Sequence, residues 1–158
     1  MLSNVHSTRR AFSLIELVIV VVILGIIGAV AIPRMSRGAE GASESALVSN
    51  LATLRGAIEL FAAEHGGTFP SVANFEDELL LYTNASAGTS ATKTGAFIYG
   101  PYLRAIPALP VGARQGGTLV AAADAANVGW IYDETTGTIT ANCTNAEVNG
   151  SGKQWNSF

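Results

Sequence analysis

Residues Arg9–Arg34 read RRAFSLIELVIVVVILGIIGAVAIPR, an apolar run interrupted by a single acid. From Phe12 to Ile32 it is 21 residues long, and Glu16 is the only charge. Wound as a helix, that length covers about 31 Å at about 1.5 Å per residue, close to the hydrocarbon thickness of a bilayer. A carboxylate at the centre of a membrane helix costs roughly 2.5–3.5 kcal/mol, and less near an end. Glu16, four residues into the run, therefore needs a partner or a purpose.

The whole chain has 158 residues, enough for one domain and an appendage. Outside the apolar run it is rich in Ala, Gly, Thr, Ser and Asn and holds only two lysines, Lys93 and Lys153. Residues 1–11, MLSNVHSTRRA, are polar and positively charged, which suits a cytoplasmic leader. Net charge is −3; removing the leader leaves 7 basic against 12 acidic residues, a net −5. No basic patch remains to grip a phosphate backbone, so no nucleic-acid partner is expected. Cys143 is the only cysteine, which rules out an intrachain disulfide and predicts a buried, inert thiol.

Three readings compete for the apolar run. A secretory signal would use Ala29-Val30-Ala31 as a cleavage site, but it would carry an acid in an h-region longer than usual. A plain membrane anchor explains the length, yet Arg34 and Arg37 on one flank match Arg9 and Arg10 on the other, and Glu16 has no purpose. Cleavage between Ala11 and Phe12 supplies one. It creates an α-amino group on Phe12, one helical turn from Glu16 and similarly close to a staggered neighbour. A buried carboxylate facing a buried ammonium is tolerable where either alone is not, and such a pair can set register between subunits.

The sequence Ala11-Phe12-Ser13-Leu14-Ile15-Glu16-Leu17, followed by apolar residues, Gly25 and Pro33, resembles the N-terminus of type IV pilins and type II secretion pseudopilins. The resemblance implies a prepilin peptidase that cuts before Phe12 and N-methylates the new terminus, with Glu16 as the assembly carboxylate. The family prefers glycine before the cut, where this chain has Ala11; slower cleavage is expected. Gly25 and Pro33 are expected to mark points where the helix can bend or melt between bilayer and fibre. The implied partners are further copies of the chain, membrane lipid before assembly, the peptidase, an inner-membrane platform with its cytoplasmic ATPase, and minor pseudopilins.

Beyond Pro33 the helical signal continues. Ala46, Leu47, Leu51, Leu54, Ile58 and Phe61 trace one apolar face, with Glu44, Arg55, Glu59 and Glu64 on others, and His65-Gly66-Gly67 supplies a stop. One helix from about Phe12 to Glu64 would be naked in its first half and amphipathic in its second. The expected divisions are a leader at 1–11, a membrane or fibre-core helix at 12–32, its amphipathic continuation at 33–65 and a globular domain at 66–158. In that domain Asn74–Tyr82 predicts a short helix capped by Asn74, and Thr83–Thr94 an exposed loop. Thr118–Ala122, Gly129–Tyr132 and Thr138–Ala141 predict a small antiparallel sheet, the last two as a hairpin with Trp130 and Tyr132 on one face. The expected fold is α+β: a long helix packed against a small sheet.

No catalytic constellation is present, and an enzyme is not expected. His65 at the helix end reads as a C-terminal charge, Cys143 lacks a partner, and Glu76, Asp77 and Glu78 point different ways on a helix. Gly100-Pro101-Tyr102-Leu103, Ile106-Pro107 and the hairpin from Gly129 to Gly137 resemble the major pseudopilin of type II secretion. That branch binds calcium through aspartates in a C-terminal loop, whereas Asn142–Phe158 holds Glu147 as its only acid. Calcium prefers several charged oxygens, so no cofactor is expected. The resemblance implies a processed subunit in the inner membrane with a periplasmic C-terminal domain, polymerising into a secretion fibre. The alternatives are a type IV pilus subunit for adhesion, motility or DNA uptake, and a secreted binding module released after Ala31.

Overall fold

The computed structural model describes residues 13–158, without the side chains of 30–37. The chain divides into two compact units, Met1–Ala39 and Glu40–Phe158. Helix α1, Leu14–Glu64, contributes to both. The backbone of α1 is helical through Gly25, Gly28 and Pro33, so the expected weak points are not breaks here. Proline lacks an N–H, so the Ala29 carbonyl has no helical donor at that turn.

In the second unit α1 behaves as its pattern requires. Leu47, Leu51, Leu54, Ala57, Ile58 and Phe61 are buried, and Glu59 and Glu64 are exposed. By length and composition alone Gly38–Glu64 could cross a membrane, but this buried stripe lies in the domain's own core. The helix ends where glycine permits it. Gly66 and Gly67 take φ of 65° and 87°, and the Gly67 N–H reaches back to the Ala62 carbonyl at 2.8 Å, a Schellman closure.

Helix α2, Phe75–Leu80, is shorter than expected. Asn74 stands at its N-cap but makes no side-chain cap bond, because its amide nitrogen turns to Ser71 Oγ. Leu81 is extended, and Tyr82–Thr83 forms β1, paired antiparallel with β2, Thr89–Ser90. The expected exposed loop over Thr83–Thr94 is thus partly a miniature hairpin. Asn84 Oδ1 accepts the N–H groups of Ser86 and Gly88 at 3.0 and 2.9 Å, closing the turn, and Thr83 is fully buried.

The main sheet has the order β3-β4-β5, with β3 at Leu119–Ala121, β4 at Val128–Asp133 and β5 at Thr138–Ala141. The expected hairpin is β4–β5, in the register Trp130↔Ala141 and Tyr132↔Ile139. One expectation fails: β3 pairs parallel, not antiparallel, with β4. Parallel neighbours normally need a crossover of a dozen or more residues. Here β3 is so short that residues 122–127 carry the chain back to its start, helped by Asn127 at φ 63°. The strands also approach too closely for a side chain. A Cβ on Gly129 would stand 2.1 Å from the Gly117 carbonyl oxygen.

Trp130, Tyr132 and Ile139 form one core with the α1 stripe, Phe75, Leu79 and Leu109, while Ile131 on the opposite face is half-buried. Polar tips in this core are satisfied. Trp130 Nε1 donates to the Pro107 carbonyl at 2.7 Å, and Tyr132 OH donates to that of Pro70 at 3.0 Å. Burial raises the Tyr132 phenol pKa. The architecture is α+β, a helix on a small mixed sheet, as expected apart from that one pairing.

Candidate functional site

The sequence points to the first half of α1. Its helix starts with the Leu17 N–H on the Ser13 carbonyl at 3.2 Å, and Glu16 lies in the first turn. Position alone favours an acid there, since the free N–H groups of a helix start attract negative charge. The rest of the segment has no polar character. Leu14, Ile15, Leu17 to Leu24, Ile26 and Ile27 are all between 46 % and 80 % exposed, on every side of the helix. An amphipathic helix would hide one face; among the described residues of this unit nothing hides any. Glu16 is exposed as well.

Gly25 stands in open space, with nothing within 4 Å of where a Cβ would be, and Gly28 likewise. Neither glycine is required by packing inside the subunit. Each leaves the backbone accessible to a close neighbour and weakens the helix locally, by about 1 kcal/mol relative to alanine. Ala11 and Phe12, the expected processing pair, lie outside the described residues, as does the side chain of Pro33. Glu16 and Gly25 are therefore the members of the expected site whose surroundings the structure describes.

Residues 6–32 match the prokaryotic N-terminal methylation motif. The match holds Ala11, Phe12, Glu16 and Gly25 and covers residues 6–11 and the apolar run, not the domain. Comparison with curated proteins and with solved structures gives no match. What the match supports is a prepilin-style N-terminal motif on an exposed apolar helix segment.

Groups in the second unit that could suggest chemistry have structural partners. His65 is buried rather than a surface charge. Its ring stacks on Phe61 at 3.9 Å, Nδ1 meets the Phe61 carbonyl at 2.8 Å and Nε2 that of Asn84 at 3.0 Å. Cys143 is half-buried, and burial pushes its thiol pKa up to about 11, far from a reactive thiolate. Glu78 is buried and accepts Ser71 N–H at 2.7 Å and Ser71 Oγ at 2.9 Å, tying α2 to the loop before it. Tyr102 OH donates to Glu64 at 2.6 Å, and burial followed by that carboxylate raises the phenol pKa. Among the described residues no three His, Cys, Asp or Glu side chains form a metal-binding group.

Glu78 and His65 are interior polar groups that composition does not mark. Their only signal was position: Glu78 falls on the apolar side of a six-residue helix, beside Leu79.

Proposed function

We propose that this chain is the structural subunit of a pilin-like helical fibre, cut before Phe12 by a prepilin peptidase and polymerised through its first helix. The observation that carries the reading is an apolar helix exposed on every side within its unit, beginning with one acid, inside a matched methylation motif. Such a surface needs lipid first and copies of itself later. Lipid is as apolar as leucine, so exchanging one for the other gives little hydrophobic gain, and packing, polar contacts and outside work must drive extraction. The outside work would come from a cytoplasmic ATPase acting through an inner-membrane platform.

In the fibre core the Phe12 ammonium and Glu16 neutralise each other. The pair fixes axial register, because any slip leaves an uncompensated buried charge. Before assembly the domain Glu40–Phe158 stands on the periplasmic side.

Within the class we favour the major pseudopilin of type II secretion. The β4–β5 hairpin with its aromatic core face, the stretch Gly100–Leu103 and the lone Cys143 support that branch. Mass spectrometry of the native subunit's N-terminus tests the reading. A peptide starting at N-methylated Phe12 is expected; one starting at Met1 or at Ile32 would overturn it.

A further inference from the structure

Three loops of the second unit converge: the turn around Arg114, the β3–β4 connection carrying Asp124, and the segment from Asn142 to Glu147 that follows β5. The resemblance implies calcium in the C-terminal loop, Asn142–Phe158, where the third of these lies. Calcium binds six to eight oxygens at about 2.3–2.6 Å, several of them carboxylate. The donors present do not fit that demand, because their oxygens already face N–H groups.

Arg114 grips Asp124 at both ends, Nε to Oδ1 at 2.8 Å and a terminal guanidinium nitrogen to Oδ2 at 2.8 Å. Asp124 Oδ1 also accepts the Asn142 side-chain amide at 2.8 Å, and the same Nδ2 donates to the Val128 carbonyl at 2.8 Å. With two acceptors facing it, that end of Asn142 must be its nitrogen, so Asn142 presents a donor where a cation would need an oxygen. Glu147, the one acid after β5, is occupied too. It accepts the Ala113 N–H at 2.5 Å, the Thr144 N–H at 2.6 Å and the Thr144 hydroxyl at 3.1 Å.

We propose that Arg114 is the resident cation of this loop cluster: its guanidinium clamps Asp124, which also takes the Asn142 amide, so the loops are joined without a divalent metal and the folded subunit does not respond to calcium. Geometry supports this beyond charge. A planar fork meeting a carboxylate at two points fixes orientation as well as distance, which a lysine ammonium cannot do. The guanidinium of Arg114 and then the amide of Asn142 hold the Asp124 carboxyl below the usual carboxylate range, as a resident cation should. The pair is partly exposed, with side chains 38 % and 57 % accessible, so its role is to order the loops rather than to carry global stability.

Hydrogen exchange read by mass spectrometry on the full chain in detergent tests this. In the wild type, exchange over residues 112–116 and 122–127 should be the same in millimolar calcium and in EDTA. Arg114→Ala should raise it severalfold in both segments while leaving Trp130 and its neighbours in β4 unchanged. Arg114→Lys should recover only part of the protection, and Arg104→Ala, at an exposed arginine elsewhere, none of the loss. Calcium-dependent protection of these loops in the wild type would overturn the proposal, as would an Arg114→Ala variant that exchanges like the wild type. Neither readout involves fibre assembly, so the result is independent of the fibre reading.

Discussion

Gly129→Ala should be among the most damaging single changes in the domain, though it adds only one methyl group. The added Cβ would lie 2.1 Å from the Gly117 carbonyl oxygen and 2.7 Å from its carbon. Both are backbone atoms, so no side chain can swing away. Restoring an ordinary contact requires β4 and the 116–118 segment to separate by more than an ångström. Three backbone hydrogen bonds bracket that contact: Leu109 N–H to Gly117 at 2.9 Å, Leu119 N–H to Asn127 at 3.2 Å, and Asn142 N–H to Gly129 at 2.9 Å. At about 1 kcal/mol each, their loss or stretching costs about 2–3 kcal/mol. Disturbance of Trp130, fully buried next door, adds to it. For a unit of this size about 4 °C accompanies each kcal/mol, so the melting temperature should fall by roughly 10 °C or more. Near-UV circular dichroism and tryptophan fluorescence of the full chain in detergent report it, since Trp130 and Trp155 both lie in the core. Gly95→Ala, with nothing within 4 Å, serves as the control. A Gly129→Ala variant that melts within about 2 °C of wild type, about half a kcal/mol, would refute the close-approach argument.

Two further outcomes follow from the same domain. Gly56 lies mid-helix in α1, exposed and with open space where a Cβ would go, so Gly56→Ala should stabilise by about 0.8–1.0 kcal/mol and raise the melting temperature by roughly 3–4 °C; a lower melting temperature would contradict this. The backbone N–H groups of Thr144 and then Ala113 hold the Glu147 carboxyl below its ordinary range. Its stabilisation is therefore fully present above the unfolded value of about 4.3 and is lost as pH falls through the lower, folded value. Glu147→Gln should melt lower than wild type at neutral pH and decline less steeply on acidification, and parallel pH profiles for the two proteins would contradict that.

Periodicity made the α1 stripe legible, because residues from Leu47 to Phe61 at helical spacing have one consistent side to bury. Alternation did the same for Trp130 and Tyr132, and Gly137 at φ 70° closes the hairpin they enter. The parallel partnership of β3 was not legible. A three-residue strand has no pattern of its own, and its direction is set by a bulge between Leu119 and Val120 and a close glycine contact formed only in the fold. The roles of buried His65 and Glu78 and of half-buried Glu147 escaped for a related reason. Each bonds to backbone groups, and backbone groups carry no sequence signal. The N-terminal expectation arose from the opposite circumstance: an acid in an apolar run finds no partner in its own sequence neighbourhood, which turns attention outside the subunit.

The central claim is that Glu16 exists to meet a new N-terminal amine in the fibre. Removing one partner of a buried ion pair costs about 3–5 kcal/mol, equivalent to about two to four orders of magnitude in each subunit-addition equilibrium. Glu16→Ala should therefore leave cleavage and methylation at Phe12 intact while fibre yield, measured by shearing and electron microscopy in cells running the assembly machinery, falls to near zero. Normal fibres built from correctly processed Glu16→Ala subunits would contradict it.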